Sequence, residues 1–407
     1  MPLNIINEAN RCLNCKNPLC RKGCPVSTRI PEIIQLFKQN RILEAGEILF
    51  ENNPMSLVCA KICNYERQCT GNCVLNHKGN PVHFYEIEEY ISDTYLDRME
   101  IKKKESNGIK TAIIGSGPAG MTAAFKLAEA GYDVTIFDEK PEIGGMIRYG
   151  IPDFRLPKTI LDRYQKRLEE YGVKIRLNTP IGHSIFIEDL FRDDYKTVFV
   201  GTGTWRAKAL GLVGETLANV HYGIAYLSNP SSYHLGENVA VIGMGNVAID
   251  AARTAFRHGA KRVMLYARSK RIAASEDEVQ YAKLDGCEFI FGKQIEKITE
   301  NGPVFKTAIF DENDKVIGYE EELDQVKADS TIIAISQGPK DKLVNTTVGL
   351  LPNEKGLLIT DESGMTTLEG VFAAGDVVHG SLTVVHAVRD AKIAAESMIR
   401  YMESKNS

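Results

Sequence analysis

Residues 110–120 read Lys-Thr-Ala-Ile-Ile-Gly-Ser-Gly-Pro-Ala-Gly, a β-branched run that ends in three glycines and opens onto helix-forming sequence. The spacing of Gly115, Gly117 and Gly120 fits a strand–turn–helix unit. The first glycine allows a tight turn, the second lets backbone approach a pyrophosphate, and the third lets helix and strand pack closely. A helix expected over 119–130, opening at Pro118 and Ala119, presents unpaired N–H groups and a positive dipole end to phosphate. The next strand, expected over 134–137, ends at Asp138, where a carboxylate can hold ribose hydroxyls.

Further along, Ala240-Val241-Ile242-Gly243-Met244-Gly245-Asn246-Val247-Ala248 repeats the pattern. Its second strand, 263–266, ends differently: no carboxylate follows, and Arg268, Lys270 and Arg271 come instead. A carboxylate there would repel a ribose 2′-phosphate, whereas an arginine fork accepts it. This turn therefore points to NADP(H), with NAD(H) left open if the three cations form only a solvated loop. Two turns with different endings imply two nucleotides. The natural pairing is FAD in the first and the nicotinamide nucleotide in the second, so that hydride can pass between them. A third turn, Phe372-Ala373-Ala374-Gly375-Asp376, precedes a helix expected near 383–402 that begins at Thr383. It could close the flavin site from the far end of the chain, its helix N-terminus facing negative charge on the reduced ring.

The alternation of short strands and helices after about residue 106 is an α/β signature. The first hundred residues look helical and irregular, with Ile30, Ile33, Ile34 and Phe37 at helical spacing, and the polar stretch 102–108 reads as a linker. The expected organisation is a helical domain over 1–105, a FAD-binding domain over 106–235 and 336–407, and an NAD(P)H-binding domain over 236–335 inserted in it. Both nucleotide domains are expected to be Rossmann-like.

Eight of the nine cysteines lie in the helical region. Cys12, Cys15, Cys20 and Cys24 follow a C-x2-C-x4-C-x3-C-P pattern, and Cys59, Cys63, Cys69 and Cys73 follow C-x3-C-x5-C-x3-C. Thiolates at such spacing, with proline after the last, suit [4Fe–4S] clusters. Zinc is the rival, as a scaffold for protein binding, although only Cys12 and Cys15 match its paired C-x2-C knuckle. The opening MPLNIINEANRCLNC has no signal-peptide character, and no run reaches the roughly 20 apolar residues of a membrane span. The chain is expected to be cytoplasmic, where clustered thiols stay reduced. A net charge of −4 gives no reason to expect nucleic acid or an anionic membrane as partner.

Over nearly its whole length the chain resembles a family of FAD and iron–sulfur pyridine nucleotide oxidoreductases. Its members include the small subunit of bacterial glutamate synthase and the N-terminal half of dihydropyrimidine dehydrogenase. The bacterial NAD(P)H-oxidising subunit of dihydropyrimidine dehydrogenase and the large subunit of NADH-dependent ferredoxin:NADP oxidoreductase also belong to it. The stretches that carry the resemblance are RCLNCKNPLCRKGCP, the second cysteine block, GSGPAG, EIGGMIRYGIPDFRLPK, VIGMGNVAIDAAR and VFAAGDVV.

The resemblance implies two [4Fe–4S] clusters with crossed ligation. One uses Cys12, Cys15, Cys20 and Cys73; the other uses Cys24, Cys63 and Cys69, with Glu88 as fourth ligand and Cys59 spare. It places Gly117 to Gly120 on the flavin pyrophosphate, Asp138 on ribose, and Gly145 and Met146 near the ring. Arg155 becomes a cationic contact, and the segment Asp376 to Val384, with Leu382 and Thr383, closes the site. For the nicotinamide nucleotide it marks Met244 to Val247 and Arg268. A dithiol reductase of the thioredoxin-reductase kind needs a C-x-x-C pair in its nucleotide domains, where this chain has only Cys287. No residues are left for an organic substrate domain, so a partner subunit is expected to hold that substrate. The leading candidate is a reductase of the dihydropyrimidine or dihydroorotate dehydrogenase kind. A glutamate synthase large subunit is the alternative, and ferredoxin or a small flavoprotein is a third option.

Overall fold

The structure, a computed structural model, describes residues 2–406. Six α-helices fill the first hundred: α1 (Leu3–Asn10), α2 (Leu19–Gly23), α3 (Ile30–Lys38), α4 (Ile42–Asn52), α5 (Ser56–Ile62) and α6 (Phe84–Arg98). On α3 the apolar residues Ile30, Ile33, Ile34 and Phe37 are buried as one stripe, packed with Leu49 of α4 and with Ile87 and Ile91 of α6. Each such burial is worth about 1.5–3 kcal/mol, which lets short helices hold together without strands. The cysteines stand at helix ends and in the loops between: Cys24 ends α2, Cys63 ends α5, and Cys73 precedes a 3-10 turn at Val74–Lys78. Cys59 lies inside α5, buried.

The chain then builds a parallel sheet. Its elements are β1 (Lys110–Ile114), α7 (Pro118–Glu129), β2 (Asp133–Phe137), α8 (Met146–Tyr149), α9 (Lys158–Glu170), β3 (Lys174–Arg176), α10 (Ile187–Arg192) and β4 (Tyr195–Val200). The returning strand Val371–Ala373 (β15) completes the order β3-β2-β1-β4-β15. Order reverses at β1, so the carboxyl ends of β1 and β4 face a crevice suited to a nucleotide. The last helix, α16 (Val384–Asn406), packs along α7.

Phe125 of α7 is fully buried and meets Phe50 of α4 at 5.2 Å and Tyr171 at 5.5 Å between ring centroids. The helical region therefore shares one compact unit with this sheet: residues up to Ile147, Asp153–Thr204, and Gly338 onward. The expected linker is pinned rather than loose. Lys103 Nζ donates to Tyr171 O at 3.1 Å, Lys104 N to Glu129 O at 3.0 Å, and Ser106 Oγ to Asp133 Oδ1 at 2.7 Å.

The second unit comprises Arg148–Pro152 and Trp205–Gln337. It contains β5 (Arg206–Ala207), β6 (Val220–Tyr222), α11 (Gly223–Ser228), β7 (Asn238–Ile242), α12 (Asn246–Arg257), β8 (Arg262–Ala267), α13 (Glu276–Leu284) and β9 (Glu288–Phe291). An antiparallel meander follows, β10 (Lys293–Thr299), β11 (Gly302–Phe310) and β12 (Val316–Gln325), and then β13 (Ser330–Ile333); β14 (Gln337–Gly338) and α14 (Lys342–Asn345) come next along the chain. The parallel sheet runs β6-β13-β7-β8-β9. This unit is wider than the expected 236–335 because β6 hydrogen-bonds to β13 as an edge strand, which draws the preceding segment in. Phe305 of the meander stacks on Tyr266 of β8 at 4.6 Å between centroids.

Candidate functional site

At the carboxyl end of β1 each glycine meets a different constraint. Gly115 has φ +100, and a Cβ there would lie 2.6 Å from Gly201 O. A Cβ on Gly120 would lie 1.9 Å from Gly115 O, so only glycine lets the helix approach the turn. A Cβ on Gly117 would meet nothing within 4 Å, leaving open space over the start of α7. That helix has Gly117 as N-cap with no side-chain cap, so its first N–H groups face the same space.

Asp138 at the end of β2 is buried and tied to this turn. Its Oδ2 accepts from Ser116 N at 2.6 Å and Ser116 Oγ at 2.5 Å, and its Oδ1 accepts from Lys140 N at 2.8 Å. A carboxylate has about four acceptor sites, so about one is left for a ribose hydroxyl. Gly144 N donates to Ser116 O at 3.0 Å, and a Cβ on Gly145 would stand 2.9 Å from Gly117 Cα. The segment bearing Gly145 and Met146 is thereby folded against the first turn, and Arg155 lies half-buried further along the same unit. Gly375, at φ +78, brings its Cα face against Ala119, with a Cβ contact of 3.2 Å. Asp376 begins the short helix α15 (Asp376–His379) and accepts from Leu382 N at 3.1 Å. Burial pushes its carboxyl up to about 6. Thr383 Oγ1 and His386 Nδ1 stand 2.7 Å apart where α16 starts at Val384.

One participant escaped the sequence reading. After β4 the run Gly201-Thr202-Gly203-Thr204 closes over Gly115: Gly201 N donates to Ile114 O at 2.8 Å, and Thr204 Oγ1 pairs with Ser381 Oγ at 3.0 Å. Its signal was present, a buried strand followed by glycine–threonine alternation.

The second turn repeats the geometry. Gly243 has φ +136, a Cβ on it would lie 2.3 Å from Ala334 O, and Gly245 faces open space at the start of α12. Ala248 takes the third glycine's place. The loop after β8 folds back onto this turn: Ala273 N and Ala274 N donate to Met244 O at 3.0 and 3.1 Å, and Ser275 N donates to Asn246 Oδ1 at 3.0 Å. Val247 packs partly buried beside the core of this unit. Among the basic trio, Lys270 pairs with Asp314 and lies 4.9 Å from the Phe310 ring centroid, turned toward the meander. Arg268 and Arg271 are exposed with no hydrogen bond or ion pair among the described residues.

The thiols fall into two groups that cross the sequence blocks. Burial pushes the Cys20 thiol up to about 11, with the nearby Cys73, Cys12 and Cys15 adding to the rise. Cys12 is raised by burial too, with Cys15 and Cys73 close by. Cys12, Cys15, Cys20 and Cys73 line a pocket together with Cys69, and the rest of its wall is apolar, including Leu13, Ile34 and Phe84. In the second group Cys69 is pushed to about 12 by burial, then by Glu88 and Cys24. Cys63 is raised by its hydrogen bond with Cys59 and by burial, with Glu88 and Cys69 near. Cys24 is raised by burial and by Glu88, against donation from Thr28. Glu88, 8% exposed on α6, is itself pushed to about 8 by burial alone. Seven of these eight donors are half-buried thiols, the soft ligands that iron–sulfur clusters take.

Comparison with known proteins agrees with this geometry. Residues 109–391 match the family described as pyridine nucleotide-disulphide oxidoreductase. Residues 2–100 match the family described as dihydropyrimidine dehydrogenase domain II, 4Fe-4S cluster. The chain belongs to the pyridine nucleotide-disulphide oxidoreductase family, with a [4Fe–4S] domain ahead of its nucleotide domains. It is 36% identical to the glutamate synthase [NADPH] small chain of Halomonas elongata, over 99% of this chain and 92% of that one. It is 31% identical to the NAD-dependent dihydropyrimidine dehydrogenase subunit PreT of Salmonella typhimurium, over 99% and 95% respectively. The thioredoxin reductase of T. acidophilum superposes with a TM-score of 0.57 at 23% identity, over 72% of this chain and 98% of that one, a likeness of fold. The protein is an NAD(P)H-dependent flavin oxidoreductase that takes FAD, a nicotinamide nucleotide and [4Fe–4S] clusters. Cys287, the only cysteine after residue 73, is buried, and its thiol is pushed up to about 12 by that burial. Among the described residues no helix is long and apolar enough to cross a membrane.

Proposed function

We propose that this chain is the cytoplasmic, NADPH-oxidising subunit of a larger enzyme and delivers electrons to a partner subunit that holds the organic substrate. Bound FAD would supply hydride acceptance from the nicotinamide nucleotide, and the clusters would supply one-electron carriage to the partner. The chain's own residues bind and orient. Gly117 and the start of α7 hold the flavin pyrophosphate, and the remaining acceptor site of Asp138 holds ribose. Gly145 and Met146 would stand near the ring, Arg155 would be a cationic contact, and Asp376 to Val384, with Leu382 and Thr383, would close the site. Arg268 and Arg271 receive the 2′-phosphate, while Lys270 is engaged with Asp314. Cys12, Cys15, Cys20 and Cys73 hold one cluster; Cys24, Cys63, Cys69 and Glu88 hold the other.

The observation that carries the reading is the crossed grouping of eight donors within the same compact unit as the first glycine turn. The partner of first choice is a reductase of the dihydropyrimidine dehydrogenase type. A glutamate synthase large subunit is the second reading, supported by the 36% identity to a glutamate synthase small chain. Tagged protein recovered from its native cells is expected to bring one such subunit with it. Recovery as a lone chain that reduces a pyrimidine unaided contradicts the proposal. The nucleotide assignment is tested by dye reduction: wild type should prefer NADPH, and Arg268→Ala should lower NADPH efficiency about tenfold while sparing NADH. Equal use of both nucleotides, unchanged by the substitution, would make the trio mere surface.

A further inference from the structure

A file of polar side chains leads from the last helix to the thiol of Cys24. Lys392 on α16 donates from Nζ to Asn52 O at 2.6 Å and to Asn52 Oδ1 at 3.2 Å. Asn52 Nδ2 donates to Thr28 Oγ1 at 3.3 Å, and Thr28 Oγ1 stands 3.3 Å from Cys24 Sγ. Thr28 is 2% exposed, so its hydroxyl has no access to bulk water.

Chemistry fixes the direction of every bond in this file. An ammonium only donates, so the amide oxygen of Asn52 must face Lys392 and its NH2 must face Thr28. The Thr28 oxygen is then an acceptor, which leaves its own hydrogen for sulfur, and a metal-bound thiolate only accepts. Each donation polarises the next, so the positive end of the file points at Cys24. The Thr28 backbone N–H also reaches that sulfur, and Lys392 is within electrostatic range of it.

Resting on the function proposed above, we infer that Lys392, Asn52 and Thr28 are positioning residues that raise the reduction potential of the cluster held by Cys24. Donors to a ligating sulfur and a nearby cation both stabilise the reduced, more negative cluster. Because Lys392 lies on the helix that begins at the flavin site, the device ties the electron acceptor's potential to the packing of α16.

The test is EPR of purified protein at controlled potentials. The Cys24 cluster is recognised as the signal altered by Glu88→Asp. Thr28→Val and Lys392→Met should each make that signal harder to reduce, by about tenfold in the reduced-to-oxidised ratio at a fixed potential, or 59 mV for one electron. The other signal should not move, and Thr28→Ser and Lys392→Arg should restore most of the wild-type potential. If Thr28→Val loses iron, Lys392→Met carries the test, since that side chain reaches the sulfur only through Asn52 and Thr28. Two wild-type signals with neither variant shifting the first, or with both clusters shifting equally, overturn the inference alone. A wild type with no iron overturns the function as well.

Discussion

Gly117 and Gly120 stand three residues apart and are glycine for different reasons. The Cβ of Gly117→Ala meets nothing in the chain, and its φ of −70 suits any residue. That substitution should leave the apoprotein's denaturation midpoint unchanged while stripping flavin. Gly120→Ala forces a Cβ onto Gly115 O and should cost about 1–3 kcal/mol of fold stability as well. Flavin absorbance per chain and urea denaturation separate the two; a full flavin complement in Gly117→Ala would put the pyrophosphate elsewhere. Asp376 supplies a second check. Burial lifts its carboxyl from 3.8 to about 6, so between those values the folded chain holds a proton that the unfolded chain has released. Its contribution is full below about pH 4 and is lost as pH rises through about 6. In the apoprotein, melting temperatures of Asp376→Asn and wild type should diverge in the variant's favour across that window and run parallel above it. Parallel curves throughout would mean that the carboxyl titrates normally. At this scale the close approach of Gly120 to its own turn was legible because both partners, Gly115 and Gly120, are neighbours in sequence. The clasp of Asp138 on Ser116 and the file from Lys392 to Cys24 were not, because their members are brought together only by folding.

Elements followed their local pattern closely where burial is periodic. The helix expected over 119–130 runs Pro118–Glu129, the strand expected over 134–137 runs Asp133–Phe137, and the helix expected near 383–402 runs Val384–Asn406. The meander over β10, β11 and β12 was not read, and its physics explains why. Most of β12, Val-Ile-Gly-Tyr-Glu-Glu-Glu-Leu-Asp-Gln, is exposed on both faces, so apolar alternation is absent. Helices α4 and α7 belong to regions with different patterns, yet they share a ring contact. Phe125→Ala removes a fully buried ring that touches Phe50, at a cost of about 3–5 kcal/mol. Hydrogen exchange should then quicken in α4 as well as in α7. A change confined to α7 would show that the helical region is stabilised independently of the first sheet.

For the whole molecule, the blocks of cysteine along the chain and the groups in space are different partitions. Spacing left two blocks of four; folding sets Cys73 beside Cys12, Cys15 and Cys20, and sets Cys24 beside Cys69 and Glu88, with Cys63 near the same two. The ligand sets were legible only as what the family resemblance implies, because α3 and α4 separate the two blocks along the chain. Glu88 was visible only through the family resemblance, since a helix carboxylate in sequence looks solvated and this one is buried. On the function proposed above, these groups hold two clusters that drain electrons from a flavin reduced by NADPH. The direct measurement is anaerobic addition of NADPH to the purified protein, with iron and flavin counted per chain and the EPR spectrum followed. The expected result is about eight irons, two clusters of four, together with about one FAD, and two distinct signals that grow as NADPH is added. A colourless protein holding zinc in place of iron, or clusters that stay oxidised while the flavin is reduced, would contradict it.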